Sequence, residues 1–207
     1  MTNVDIKRIC IHECCHAVVA RLFRQRMAME ELVVNTRLVK AGEDLGALNI
    51  RGPRLDDEQD YAALAITLLA GVIGENIYLL GTDAIKEKKE EIVVDNNIID
   101  WTSGGGDVPA FQNVAFMFSL VYLTDGNKLK EFCLRFLIDF LSDKEVWSMV
   151  ELLCYEGLRK KNLKLNEKEL ECVFKKISLD ALLDNKRKEY LNQCNEVLQF
   201  CQRSEPA

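Results

Sequence analysis

"ICIHECCHAVVARLF", residues 9–23, decides how the rest of the chain is read. It holds His12, Glu13 and His16 in the order H-E-x-x-H, and these are the only two histidines of the chain. From about Val4 to Met29 no Pro or Gly interrupts, and apolar residues recur at helical spacing, so the sequence predicts a long helix there. On a helix, positions i and i+4 share one face, one turn apart. His12 and His16 can therefore aim ring nitrogens at a single metal ion. Catalytic zinc typically takes three protein ligands and a water, and it lowers the pKa of that water to about 7. Glu13, beside His12, stands where a general base for such a water belongs. The bland alternative is two surface histidines on an amphipathic helix. By residue frequency the pattern should arise by chance in roughly one of a few hundred chains of this length. That both histidines fall on one helical segment favours zinc.

With no third histidine, a third ligand must be a carboxylate or a cysteine. Two carboxylates qualify. Glu75 lies in the apolar run "LAGVIGENIYLLG", and Asp107 follows "SGGG" and precedes Val108 and Pro109. As plain structure, Asp107 would be a helix N-cap and Glu75 a carboxylate on a helix edge. Spacing alone leaves both open.

Composition narrows the class. The 207 residues suffice for one domain with a sizeable core, and 48% hydrophobic with 29% charged residues is a soluble globular balance. A net charge of −6, with no basic stripe, argues against nucleic-acid binding. The opening "MTNVDIKRIC" has no apolar signal region, and the uncharged run "YAALAITLLAGVIG" is too short to span a bilayer. We expect a cytoplasmic protein without membrane attachment. Its eight cysteines include no C-x-x-C pair, so free thiols are expected rather than disulfides or a zinc ribbon. Cys133, Cys154, Cys172, Cys194 and Cys201 read as small core or surface residues.

Along the chain, 31–39 reads as a strand, 41–44 as a turn and 45–50 as a second strand ended by Gly52 and Pro53. A helix is expected over 57–80. Residues 81–108 mix a charge run, paired asparagines and three glycines, and read as a long, partly mobile loop with a short helical piece. Helices follow at 109–124, 127–141, 143–160 and 166–176. A final amphipathic helix is expected over 178–202, with Ser178 as N-cap. The fold class is mainly α with a small β hairpin.

At this point the residues resemble a family. "HECCHAVVA" is similar to the HEAGHAVVA segment of the FtsH family of AAA+ zinc proteases. "LGAL" matches a strand of that family, and "LLAGVIGENIYLLG" resembles its LxGGRAAEExxFG helix. "TSGGGDVPAFQNVA" resembles its TSGAxNDLxxAT segment, and "VWSMVELLCYEGLRKKNLKLNEKELECVF" resembles its closing helices. The likeness runs in order over about 5–175, and the first and fourth motifs are the sharp ones. It implies an FtsH-peptidase-like zincin domain over 1–177; residues 178–207, which the resemblance does not cover, are expected as a C-terminal amphipathic helix and tail packed on the same domain. It also implies Zn2+ held by His12, His16 and Asp107, with Glu13 catalytic and Glu75 near the site without ligating.

The sequence departs from the family in several places. No G-x-x-x-x-G-K-[ST] phosphate loop occurs among these residues, so the family's ATP-driven unfolding is not expected of them. Cys14 and Cys15 stand where the family has alanine and glycine, and Gly106 where it has asparagine. Cys14 points about 200° from His12 and is expected in the core. Cys15 flanks the ligand face, where it can crowd the site or bind zinc as a thiolate, and we expect it to pack. Two functions follow. The first is a zinc metalloendopeptidase acting on unfolded or flexible polypeptides, alone or with a partner unfoldase. The second is an inactive peptidase-like fold that binds a protein partner or its own copies, the C-terminal helix serving as a docking element. A thiol redox role for Cys14 and Cys15 is weak, because adjacent helical cysteines point about 100° apart.

Overall fold

The structure, a computed structural model, describes residues 3–34, 46–95, 98–160, 164–187 and 192. Helix α1 (Asn3–Leu22) runs through its centre, and every residue from Ile9 to Ala20 is buried. A helix apolar nearly all round must be surrounded. α1 packs against α2 (Glu58–Leu80), α7 (Lys144–Leu158) and a small sheet. The helix stops several residues before the expected Met29. Nothing local marks that end. Arg26 is drawn to Asp57 and Asp60 at the start of α2, and Met27 is buried with its sulfur 3.8 Å from the Thr67 hydroxyl.

The expected hairpin is present as β1 (Ala28–Val34) and β2 (Gly46–Arg51), paired antiparallel with Leu32 opposite Leu48. Residues 35–39 and the turn at 41–44 lie outside the described residues. A register shift between Met29 and Glu31 lets Met29 and Leu32 share the buried face despite odd spacing, as a bulge does. A third strand, β3 (Lys164–Asn166), pairs with the other edge of β1, giving the order β2-β1-β3. The sequence reading misses it, because three residues with one apolar side chain, Leu165, carry no strand pattern.

α2 begins at its Asp57 N-cap and is mostly buried. It is long and apolar enough to cross a membrane by composition, yet here it is a core helix. The expected loop over 81–108 is instead largely helical. After Gly81, at φ 91°, come α3 (Thr82–Glu87) and α4 (Lys89–Val94), then a 3-10 turn over Trp101–Gly104. Ile85, Ile92, Val93 and Ile99 are buried. Lys89 pairs with Asp139 at 3.0 Å and Glu90 with Arg135, fastening α4 to α6 (Gly126–Leu141). Tertiary packing organises a segment whose charge run hides its apolar positions. The remaining helices, α5 (Asp107–Tyr122), α6, α7 and α8 (Glu167–Lys176), lie close to their expected ranges, and α8 starts in a capping box of Asn166 and Glu169.

Of the expected C-terminal helix, 179–187 is helical and packs on the body, and the segment beyond lies largely outside the described residues. Ser178 is not an extended N-cap; its φ is 56° and its carbonyl accepts from Leu182. Arg21 of α1 bonds Asp180 at 2.7 Å and Glu171 at 2.5 Å, and Arg187 donates to the Leu22 carbonyl at 3.2 Å. Leu179 and Leu183 are fully buried. Truncating Leu183 to Ala is therefore expected to lower unfolding stability by about 2–5 kcal/mol. Urea titration monitored by circular dichroism checks this, and a change within error would show that 179–187 is not part of the core.

Candidate metal centre

His12 and His16 sit one turn apart on α1 and face the middle of α2. The two helices approach closely enough there only because residue 71 is glycine. A Cβ at that position would stand 2.3 Å from Nε2 of His12 and 2.4 Å from Nε2 of His16. Asp107 is the first residue of α5, with Gly106 as N-cap, and its carboxylate does not cap the helix. One of its oxygens lies 2.9 Å from Nε2 of His12 and 3.0 Å from Nε2 of His16, and the two nitrogens are 3.0 Å apart. The three residues form a group that can hold a metal ion.

Hydrogen bonds on the far side of each ring show that the donor set fits a cation. Nδ1 of His16 lies 2.6 Å from the carbonyl of Thr67, which can only accept, so Nδ1 carries the hydrogen. Nδ1 of His12 lies 2.7 Å from a carboxylate oxygen of Glu75 and donates to it. In the neutral rings each Nε2 is then a lone pair, and both face a carboxylate oxygen. Three electron-pair donors at this separation repel unless a proton or a metal cation sits among them. Atoms ligating tetrahedral zinc at about 2.0–2.1 Å stand roughly 3.3 Å apart, within a few tenths of an ångström of the observed spacing. Outer partners of this kind orient metal-binding imidazoles.

The electrostatics agree. Burial pushes the His12 imidazolium toward losing its proton, but the carboxylates of Asp107, Glu75 and Glu13 outweigh that and raise its pKa to about 10. Burial alone would raise Asp107, whereas the two imidazoles it faces, once they carry a proton at Nε2, hold it well below the ordinary carboxylate range. The site is thus built for positive charge. Glu13 is itself buried, at 5% exposure, beside His12. Asp107 is the open side, with 30% of its side chain exposed against 8% and 7% for the histidines.

Of the two candidate carboxylates, Asp107 joins the donor triad and Glu75 does not. Glu75 instead bridges Nδ1 of His12 to the guanidinium of Arg8, which also reaches Asp100 at 3.5 Å. Sequence reasoning overlooks Arg8, although it lies one helical turn before His12 on the same face. It also overlooks Gly71 and the Thr67 carbonyl, the latter having no side-chain signature. Cys14 and Cys15 are both fully buried, and Cys15 packs. Its sulfur occupies the space of a missing side chain on α2, since a Cβ at Gly74 would stand 2.2 Å from it. Cys10, Cys133 and Cys154 are buried and Cys172 is exposed; Cys194 and Cys201 lie outside the described residues. Compared with models of protein families and with curated proteins, the chain matches none.

Two outcomes follow. Glu75→Gln, which keeps the shape but removes the charge behind His12, should weaken zinc affinity about 10–100-fold. Asp107→Ala should abolish stoichiometric binding. Competition with a chromophoric chelator reads both, and wild-type affinity in Glu75→Gln would remove Glu75 from the site. Separately, Gly74→Ala should destabilise the fold by about 1–3 kcal/mol through overpacking against Cys15. The double variant Cys15→Gly/Gly74→Ala should recover most of that loss. Denaturant melts of the singles and the double check this, and additive losses would show that the two positions do not share one space.

Proposed function

We propose that this protein is a zinc-dependent metallopeptidase of the FtsH-peptidase type, cleaving peptide bonds in unfolded or flexible polypeptides. The convergence of His12, His16 and Asp107 on one point, with Glu13 adjoining His12, is the observation that carries the reading. Imidazole and carboxylate donors suit zinc among the available divalent ions. A zinc ion held there supplies Lewis acidity toward a scissile carbonyl and toward water. Glu13 then takes the proton of the attacking water and passes it to the leaving amine. Glu75 and the Thr67 carbonyl fix the two rings so that Nε2 of each stays free for the ion. Among the described residues β2 is an edge strand of the sheet, packed against α1, where an extended substrate can align by main-chain pairing.

Flexible substrates are favoured because no phosphate-cradling loop occurs in these residues, which do not themselves couple ATP to unfolding; a partner unfoldase is one source of unfolded chains. Cys10, Cys14, Cys15, Cys154 and Cys172 are free thiols, which supports a reducing compartment such as the cytoplasm.

Zinc-loaded protein is expected to cut an unfolded casein-type substrate, and Glu13→Gln at equal zinc content should lose about 10²–10⁴-fold in rate. Gel and mass-spectrometric analysis of the products provides the measurement. If wild type and Glu13→Gln both leave the substrate intact while binding zinc, the protein is a binding module on a peptidase-like fold.

A further inference from the structure

α5 presents two faces. Phe111, Ala115 and Phe118 are buried against the body, and Tyr61, Phe118 and Tyr122 form an aromatic cluster with ring centroids 4.9–5.9 Å apart. The other face is also apolar and is open. Phe116 is 61% exposed, Met117 47%, Leu120 56%, Val121 53% and Leu123 85%. From Val108 to Leu123 the chain carries no charged residue. Leu123 adds a second oddity. It is the C-cap, in the left-handed conformation at φ 51°, a place usually given to glycine, and its side chain stands in solvent. The other exposed large apolar residues among those described stand singly or in pairs on separate helices, Val94 on α4, Leu79 and Leu80 on α2, Leu152 and Tyr155 on α7, as on any monomer.

We propose that this face of α5 is a self-association surface, covered by the same face of a second copy across a two-fold axis. Area and charge point to that occupant. With a fully exposed phenylalanine showing roughly 200 Å² and the aliphatic residues somewhat less, the five fractions amount to about 500 Å² per copy. Pairing the patch with itself removes about 1,000 Å², the size at which a specific interface begins. The whole chain carries a net charge of −6, so two copies repel over most of their surface. An uncharged, apolar patch needs no complementary charge opposite it, and a two-fold contact matches a patch with itself. The face starts at Phe116, about 13 Å along the helix from Asp107, so a partner seated there leaves the metal group open.

Sedimentation velocity on the full chain from about 1 to 100 μM tests this. Wild type is expected to be dimeric at the upper end of the range. Phe116→Glu/Leu120→Glu should be monomeric, its dissociation constant raised about a hundredfold or more, with an unchanged circular dichroism spectrum. Leu123→Lys, whose side chain is already in solvent, guards against a folding defect and should shift the equilibrium in the same direction. A monomeric wild type throughout would overturn the proposal, leaving the face bare or covered by residues 188–207 of the same chain. A dimer that persists in both variants would overturn it equally, placing the contact elsewhere.

Discussion

The distance between α1 and α2 governs the rest. At residue 71 the α2 backbone passes so near the two imidazoles that a single methyl group would displace them, and at residue 74 it passes as near to Cys15. Glycine costs a helix roughly 1 kcal/mol relative to alanine, so two of them in the interior of α2 are a local disadvantage. What they permit is close contact between helices, with the histidines enclosed and their outer nitrogens within reach of Thr67 and Glu75. The geometry of the donor group is therefore a property of a helix pair before it is a property of three residues.

Glu75 shows how that pair is held in register. A carboxylate at 5% exposure is stable only with partners, and both its partners come from α1. Arg8 and His12 are one turn apart, so a single side chain of α2 grips two successive turns of α1. Sliding either helix by a turn would break both contacts and leave a buried charge unmatched. The residue that orients the His12 ring thus also sets the alignment on which His16 depends.

How much of this is legible in the sequence varies with the kind of signal. His12, Glu13 and His16 announce themselves because their spacing is local and the helix that carries them is uninterrupted. The hairpin and the helices after Asp107 are legible for the same reason, since their apolar period repeats within one window. Asp107 is not legible from spacing, because Glu75 has an equal claim until the third dimension separates a member of the donor group from the partner of a member. β3 exists by pairing with β1, and the end of α1 is set by the pull of Asp57 and Asp60 on Arg26; neither leaves a mark near the residues concerned. The segment over 81–108 misleads because its charged residues face outward on short helices while Ile85 and Ile92, seven positions apart, face inward.

The three donors are not held alike. His12 and His16 lie on a helix enclosed on all sides, whereas Asp107 opens α5, which is fastened to the body along one face only. The position of the carboxylate follows the position of the whole helix, anchored through Phe111, Ala115, Phe118 and the contact of Tyr122 with Tyr61. Its ionised form is favoured twice, by the imidazoles it faces and by the positive end of the helix dipole at which it sits. From the exposed side the group presents this carboxylate first, with the two nitrogens behind it. The carboxylate is thus placed by the packing of one face of α5, whereas the imidazoles are placed by a helix buried all round.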